Sequence, residues 1–435
     1  GSDAYNVAVG FSAGTLITSG TQNTLIGGLA GDALTDGNTN VAVGCQALTS
    51  ETRGDRNVAI GRLALYSQNN TSDTDVYNTA VGYNAGMSVT TGTRNVLVGG
   101  LAGDALTTGT SNIAMGYAAL GSTTDQNYNI AIGDSSMQAN VNGARNVAIG
   151  HDTLAAMNPA SDTDTYNVAV GYSAGTAIST GVQNTLIGAL AGDALQGGER
   201  NVAIGTYALS SEDGDGYNVA VGHSALLNQN AGATAYNVAV GYSAGTAVTS
   251  GIQNILMGGN AGDALTAGSH NIAIGGGALG SEDTHGKNVA IGYTALNAQN
   301  AGADAYNVAV GYNAGQAVTT GVENVLIGGL AGDAITSGGY NTALGHAALG
   351  ASILPSFNTA IGNASLASNV HGHKNTAVGQ ATLAVMAPTG SADTHNTAVG
   401  FHAGTAVTTG VNNTLMGSTT GDALTTGTNN VAMGY

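Results

Sequence analysis

A five-residue pattern of polar and apolar positions recurs along the whole chain. It reads Asn, then Val, Thr or Ile, then Ala or Leu, then a large aliphatic residue, then Gly. The pattern occurs 25 times, and its Asn residues are 17 positions apart, with occasional steps of 19 or 21. Aliphatic residues at alternate positions, ended by Gly, are typical of a short β-strand followed by a turn. Frequent Gly and the lack of a 3.6-residue rhythm exclude a helix.

Each repeat therefore predicts one turn of chain, and the turns are expected to stack. The predicted fold is all-β: a parallel β-solenoid of about 25 coils with a 17-residue period. At ~4.8 Å between coils, the expected rod is on the order of 120 Å long. Below, coil positions 1 to 17 are counted from the Asn of each copy.

A second period groups the coils into superrepeats of four or five. Each superrepeat is closed by one longer loop, such as residues 67–77 or 157–166. We predict a single array over residues 1–435, without a separate globular domain. Its superrepeats begin near residues 6, 78, 167, 237, 307 and 396. Insertions confined to one place in each cycle lie on one region of a solenoid surface, which is where partners are expected to bind.

Position 1 predicts a structural ladder. An Asn stacked in every coil can bridge the backbone groups of adjacent turns through its side-chain amide. We call the Asn at position 1 of every coil a ladder asparagine. The first six are Asn6, Asn23, Asn40, Asn57, Asn78 and Asn95.

Position 3 predicts an interface between chains. It is Ala in 19 copies and Leu in six, and never polar, although it points away from positions 2 and 4. An apolar column on the second face of a strand indicates burial on both sides, and one narrow coil is not expected to bury both. We therefore expect side-by-side association into an obligate oligomer. The larger members of this inter-chain column are Leu25, Leu97, Leu186, Leu256, Leu326 and Leu415.

Composition and charge exclude several classes of function. Hydrophobic residues make up 43% of the chain and charged residues 8%, which argues against disorder. The net charge is −18, and six of the eight basic residues stand singly before a ladder Asn, so nucleic acid is not an expected partner. No apolar run approaches the ~20 residues of a membrane span, so membrane insertion is not expected. Residues 1–30 lack signal-peptide features, and any export signal is expected outside the given sequence.

No catalytic constellation is predicted. General acid–base chemistry needs a unique set of converging groups. The Asp of the Ala-Gly-Asp-Ala or Thr-Gly-Asp-Ala segment instead recurs once per superrepeat, as in Asp104 and Asp263. It is interpreted as a turn element, and the chain is expected to be no enzyme and to need no cofactor.

Two groups of residues are weak metal candidates. The Ser-Asp-Thr-Asp loops offer oxygen ligands of the kind Ca²⁺ prefers, but without the spacing of a known calcium loop; their acids are Asp73, Asp75, Asp162 and Asp164. His371 and His373 form a His-x-His element, for which an exposed pair of histidines is the alternative. The primary expectation for metals is none.

Regularly spaced aromatic residues are candidate glycan contacts. Position 6 in the first coil of a superrepeat is Tyr or Phe, including Tyr83, Tyr172, Tyr242 and Tyr312. These rings suit stacking on the sugars of a surface polysaccharide, or covering the hydrophobic edge where a long loop leaves the solenoid.

Three segments carry a resemblance to known repeat families: NVAVGYSAGTAVTSG (237–251), NVAIGYTAL (288–296) and TTGTNNVAMG (425–434). They resemble the YadA-like head β-roll of trimeric autotransporter adhesins and the NVAIG/TTG repeat arrays of bacteriophage tail fibres. The resemblance implies a left-handed β-roll assembled as a homotrimer. The spacing departs from that of the adhesin head, whose repeat is shorter, and stalk, anchor and chaperone segments are not found in the given sequence.

The resulting expectation is a structural and adhesive rod of a trimeric extracellular fibre, most like a tail fibre shaft that positions or contacts a host receptor. Its partners would be itself and a host-surface glycan or protein, on a virion or a bacterial cell surface. The alternatives are the head of a bacterial trimeric adhesin, a filament that polymerises end to end, and a carbohydrate-binding spike. An excerpt of a longer fibre is equally compatible with a chain that begins and ends within its repeat.

Overall fold

The computed structural model describes residues 4–214 and 216–435. The chain divides into two compact units, Gly1–Tyr217 and Asn218–Tyr435. The described residues form strands, turns and bends without a helix. Accordingly, this part of the chain contains no helix that could cross a membrane.

The first unit contains twelve described three-residue strands, each made of positions 2 to 4 of one coil. They are Val7–Val9, Thr24–Ile26, Val41–Val43, Val58–Ile60, Thr79–Val81, Val96–Val98, Ile113–Met115, Ile130–Ile132, Val147–Ile149, Val168–Val170, Thr185–Ile187 and Val202–Ile204.

The second unit contains thirteen described strands of the same kind. They are Val219–Val221, Val238–Val240, Ile255–Met257, Ile272–Ile274, Val289–Ile291, Val308–Val310, Val325–Ile327, Thr342–Leu344, Thr359–Ile361, Thr376–Val378, Thr397–Val399, Thr414–Met416 and Val431–Met433.

Within each unit, successive strands pair in parallel and in register, so that every position lies beside the same position of the next coil. Leu186, for example, lies between Ala169 and Ala203. Backbone hydrogen bonds join the coils on both sides of the strand, as from Thr185 N to Asn201 O at 2.9 Å. The predicted parallel β-solenoid of about 25 coils with a 17-residue period is confirmed. One uninterrupted array from residue 1 to 435 stays a prediction.

Three of the longer loops are fastened to the preceding coil by pairs of two-residue parallel strands. In the first unit, Gly54–Asp55 pairs with Thr74–Asp75, and Gly143–Ala144 pairs with Thr163–Asp164; in the second, Gly372–His373 pairs with Ala392–Asp393. These loops are thus held by backbone hydrogen bonds against the coil that precedes them.

The core corrects the prediction for position 3, which points into the coil of its own chain. All six leucines of the predicted inter-chain column are at most 1% exposed in the single chain: Leu25, Leu97, Leu186, Leu256, Leu326 and Leu415. Their assignment to a face between chains is wrong. A strand with two apolar faces predicts a second chain, but here positions 2 and 4 are the outward ones.

Small residues make room for these leucines. A Cβ added to Gly175 would lie 2.7 Å from one methyl carbon of Leu186, and a Cβ added to Gly192 would lie 2.9 Å from the other. Both glycines occupy position 9, which carries a buried Leu in other coils, such as Leu209. Leu at position 3 and Gly at position 9 therefore fill one narrow interior together, where a larger residue at position 9 would collide with the leucine.

The Gly at position 5 is required by the backbone. Gly188 has φ +138°, and a Cβ there would lie 2.6 Å from the carbonyl carbon and oxygen of Gly205 in the next coil. We expect Gly188→Ala to lower the free energy of unfolding by about 3 kcal/mol, because the strained φ and the backbone clash act together. Urea unfolding followed by circular dichroism measures the change.

The matched control is Gly197→Ala in the adjacent turn. Gly197 is exposed, and the nearest atom to an added Cβ is the Thr180 hydroxyl at 3.5 Å. Its effect should stay within about 0.5 kcal/mol. Equal effects of the two substitutions would contradict the role assigned to Gly188.

Candidate functional site

The outward face of the strands is the largest candidate site. Positions 2 and 4 of each coil form what we call the apolar stripe. Position 4 is Val, Ile, Leu or Met in every copy, and position 2 is Val, Ile or Thr. Ile187 is 40% exposed, whereas Leu186 beside it is fully buried. Because the strands are parallel and in register, these side chains continue from coil to coil as two rows on one face.

The area of this stripe is large for an unpartnered surface. If a side chain on it exposes about 40 Å², the twelve coils of the first unit present roughly 1,000 Å². Contiguous apolar patches on soluble monomers rarely exceed ~300–600 Å², whereas a stable protein interface buries about 800 Å² per partner. The stripe is therefore large enough to form an interface along the length of the unit.

A row of aromatic rings borders the stripe at position 6. Tyr83, Tyr172, Tyr242 and Tyr312, the candidate glycan contacts, are all more than half exposed. Tyr172 stacks on His151 and Tyr242 on His223, with centroid distances of 5.7 and 5.5 Å. The partner in each case is position 6 of the preceding coil, because the ~4.8 Å spacing of coils brings equal positions to stacking distance.

The other side of each ring is open. Position 6 of the following coil is Gly100, Gly259 or Gly329 after Tyr83, Tyr242 and Tyr312, and Ala189 after Tyr172. A Cβ added to Gly259 would meet no atom within 4 Å. Each ring thus packs on one neighbouring side chain, and the equal position of the next coil holds only Gly or Ala. The sequence pattern predicts the rings, but the small residue beside each ring follows only from the in-register stacking of the coils.

A second row, formed by the residue before each position-1 Asn, places rings beside cations in several pairs of adjacent coils. The Arg145 guanidinium lies 4.9 Å from the ring centroid of Tyr128 and 6.0 Å from that of Tyr166. Lys287 Nζ lies 5.1 Å from the centroid of Tyr306. Four of the six basic residues that stand before a position-1 Asn make such cation–π contacts: Arg56, Arg145, Arg200 and Lys287.

The same cations account for two of the acidic metal candidates. Arg145 Nε lies 2.8 Å from Asp164 Oδ2, and Tyr166 Oη donates to the same oxygen at 3.2 Å. Arg56 forms the corresponding ion pair with Asp75. The hydrogen bond that Arg145 donates to Asp164 raises the pKa of Arg145 above its already high ordinary value. These exposed pairs fasten the loops to the preceding coil and contribute little stability.

The remaining candidates are not brought together either. Gln126 Nε2 donates to Asp162 Oδ1 at 2.9 Å, and Asp73 is exposed.

The two histidines of the His-x-His element have different surroundings. His373 Nδ1 accepts a hydrogen bond from Ser356 N at 2.9 Å, and its Nε2 lies 2.6 Å from Ser391 Oγ. His371 Nδ1 is buried without a hydrogen-bond partner. In residues 4–214 and 216–435, the one group of three acidic or histidine side chains close enough to hold a metal ion contains none of these six candidates.

The recurring Asp of the Ala-Gly-Asp-Ala segment lies in a turn. The pKa values of Asp104, Asp263 and Asp333 are raised above the ordinary value, because burial disfavours the charged carboxylate. Hydrogen bonds from backbone N–H groups of the same turn oppose this shift but are the smaller effect. The carboxylates accept these bonds locally, as turn-forming aspartates do.

The ladder asparagines form a continuous set of hydrogen bonds inside each unit. Asn184 Nδ2 donates to Gly198 O at 2.8 Å within its own coil. Asn184 N donates to Asn167 Oδ1 at 3.0 Å, and Asn201 N donates to Asn184 Oδ1 at the same distance. The first six members, Asn6, Asn23, Asn40, Asn57, Asn78 and Asn95, are linked in the same way. These side chains hold the coils together and are not available to a ligand.

Comparison with known proteins does not assign this surface to a family. A scan of protein-family models finds no match to the chain, and a search of curated proteins finds none either. The apolar stripe and the two rows of rings are therefore the features that bear on function.

Proposed function

We propose that the chain is a structural and adhesive part of a trimeric extracellular fibre, most like a bacteriophage tail fibre shaft. The observation that carries this proposal is the apolar stripe. It runs along every coil of each unit and has the area of a stable interface, and in the single chain it faces outward. Three copies placed side by side around a common axis would cover their stripes against one another.

The number of copies and the hand of the coil rest on the resemblance of the repeats to trimeric fibre proteins. A fibre that projects from one anchored end needs parallel chains, which cyclic symmetry provides. A threefold axis parallel to the coil stack gives every chain the same surroundings, and each coil then faces its own counterparts at the same height.

The ring row at position 6 is the surface proposed for a host receptor. Tyr242 presents an open ring face beside Gly259, and aromatic faces stack on the apolar faces of sugar rings. A surface glycan is therefore the receptor chemistry that this row fits best. The site would be repeated along the fibre, so weak contacts add through multivalency.

The test is the solution mass of the 435-residue chain, measured by light scattering over a range of concentrations. We expect a constant mass near three chains. A single-chain mass at all concentrations would refute the proposed association through the apolar stripe. A mass that grows steadily with concentration would instead favour a filament that polymerises end to end.

A further inference from the structure

Three coils carry a glutamate inside the solenoid. Position 12 points into the core, and its occupants include Leu195 and Val248. Glu51, Glu212 and Glu282 stand at this position and are fully buried. A buried carboxylate is costly unless hydrogen bonds or a cation compensate it.

Glu51 is compensated by its own chain. Its Oε1 accepts hydrogen bonds from Thr52 N at 2.9 Å and Gly54 N at 2.7 Å. Its Oε2 accepts from Gln68 Nε2 at 2.9 Å and from Asn70 Nδ2 at 3.1 Å. Gln68 occupies position 12 of the next coil. The Glu51 carboxylate and the Gln68 amide therefore hydrogen-bond to each other between adjacent coils.

Glu282 lacks this arrangement. Its Oε1 accepts a hydrogen bond from His285 N at 3.2 Å, but Oε2 is buried without a hydrogen-bond partner. Gln299, the residue that corresponds to Gln68, also has a buried Nε2 without a partner. Its Oε1 is held by Asn307 Nδ2 at 2.7 Å. Burial accordingly raises the pKa of Glu282.

The turn that follows Glu282 supplies two further ligating side chains. One carboxylate oxygen each from Glu282 and Asp283 and one ring nitrogen of His285 all lie within 4.8 Å of one another. His285 Nδ1 is 3.7 Å from Glu282 Oε1 and 3.0 Å from the Thr284 hydroxyl. Asp283 and His285 are partly exposed, so an ion can reach the group from solvent.

We propose that Glu282, Asp283 and His285 bind a divalent transition-metal ion of the Zn²⁺ class. In a tetrahedral site, metal–ligand bonds of ~2.0–2.2 Å need ligand atoms roughly 3.3–3.6 Å apart, so atoms up to 4.8 Å apart have to approach by up to ~1.5 Å. An imidazole beside two carboxylates favours Zn²⁺ over Ca²⁺ or Mg²⁺, which take oxygen ligands. Three protein ligands leave the fourth position to water. The ion would supply the positive charge that the buried carboxylate lacks.

The experiment is a calorimetric titration of the full chain with ZnCl₂ at pH 7.5. We expect one site per chain that is lost or weakened at least about tenfold in His285→Ala and in Glu282→Gln. His270→Ala is the matched control, because His270 is an exposed histidine at the end of the preceding coil and is expected to leave this site intact. Circular dichroism checks that each variant keeps its strands.

Two results would overturn the proposal. In one, the wild-type chain binds no Zn²⁺, as expected if Gln299 Nε2 closes onto Glu282 Oε2 in the way Gln68 does on Glu51. In the other, His285→Ala binds Zn²⁺ as tightly as His270→Ala, so that the ion sits elsewhere. Neither result bears on the association of chains, which is tested by mass.

Discussion

Leu186→Asp should disrupt the coils around it, and it should do so in a single chain. Leu186 is fully buried between the position-9 glycines Gly175 and Gly192. Truncation of a core Leu costs about 2–5 kcal/mol, and an unpaired buried carboxylate adds several more. Because each coil contacts only its neighbours, the loss is expected to spread from this coil rather than to be averaged over the unit. Urea unfolding followed by circular dichroism should record a lower midpoint.

The matched change lies one residue away, on the other face of the same strands. The combined variant Ile149→Lys, Val170→Glu and Ile187→Lys alters position 4 in three consecutive coils. The introduced charges alternate in sign along one chain, so they attract each other between neighbouring coils. In a symmetric trimer the same coil of each chain lies at the same height, so each introduced charge would face two charges of the same sign. We expect the circular dichroism and unfolding midpoint of the single chain to be retained while the mass falls from three chains to one.

These two outcomes separate the inward from the outward face. If the position-4 variant unfolds the chain while Leu186→Asp leaves it intact, the orientation of the strands described here is wrong. If the position-4 variant folds and keeps the wild-type mass, the chains associate through another surface and the apolar stripe is not the interface.

Asn184→Ala has the second largest expected effect. The substitution leaves the Gly198 carbonyl and the Asn201 N–H without their partners inside the coil. Each unsatisfied buried group costs about 1–3 kcal/mol, so a loss of roughly 2–5 kcal/mol in the free energy of unfolding is expected. Asn184→Asp keeps an acceptor for Asn201 but loses the donor to Gly198, and its buried charge makes it no milder. Thermal and urea unfolding of the purified variants measure the change.

Asn363→Ala is the control for this prediction. Asn363 is exposed at position 6, outside the ladder, and its removal should change the free energy of unfolding by less than about 0.5 kcal/mol. If Asn184→Ala were as mild as Asn363→Ala, the ladder would contribute no net stability, whatever its geometry.

The repeat was sufficient to predict the strands, their parallel stacking and the hydrogen-bonding role of the position-1 Asn. It failed on which face is inside, because both faces of the strand are apolar and alternation alone does not distinguish them. A usable signal was present: position 2 tolerates Thr, as in Thr185 and Thr359, whereas position 3 takes only Ala or Leu. The Thr residues at position 2 indicate contact with water. The restriction of position 3 to Ala or Leu indicates a narrow, closely packed interior.

Features that depend on contacts between coils were harder to predict. The pairing of Arg145 with Asp164 joins residues 19 positions apart, and nothing in either residue alone indicates it. The open face of Tyr242 depends on the glycine at the same position of the next coil. Among the described residues, the cluster of Glu282, Asp283 and His285 occurs in one coil only, so the repeat pattern does not predict it. What distinguishes Glu282 from Glu51 is a carboxylate oxygen without a hydrogen-bond partner, and this depends on the positions of side chains in the next coil.

The in-register stacking of equal positions has a consequence for how such a chain can change over generations. Every coil presents the same ladder Asn, the same strand and the same Gly to the coil on either side, so the joint between two coils does not depend on how many others exist. Recombination between similar gene segments that adds or removes whole 17-residue turns would recreate the same joints and alter the stack by ~4.8 Å per turn. The length of the coil stack can therefore change by whole turns during evolution while the fold stays the same.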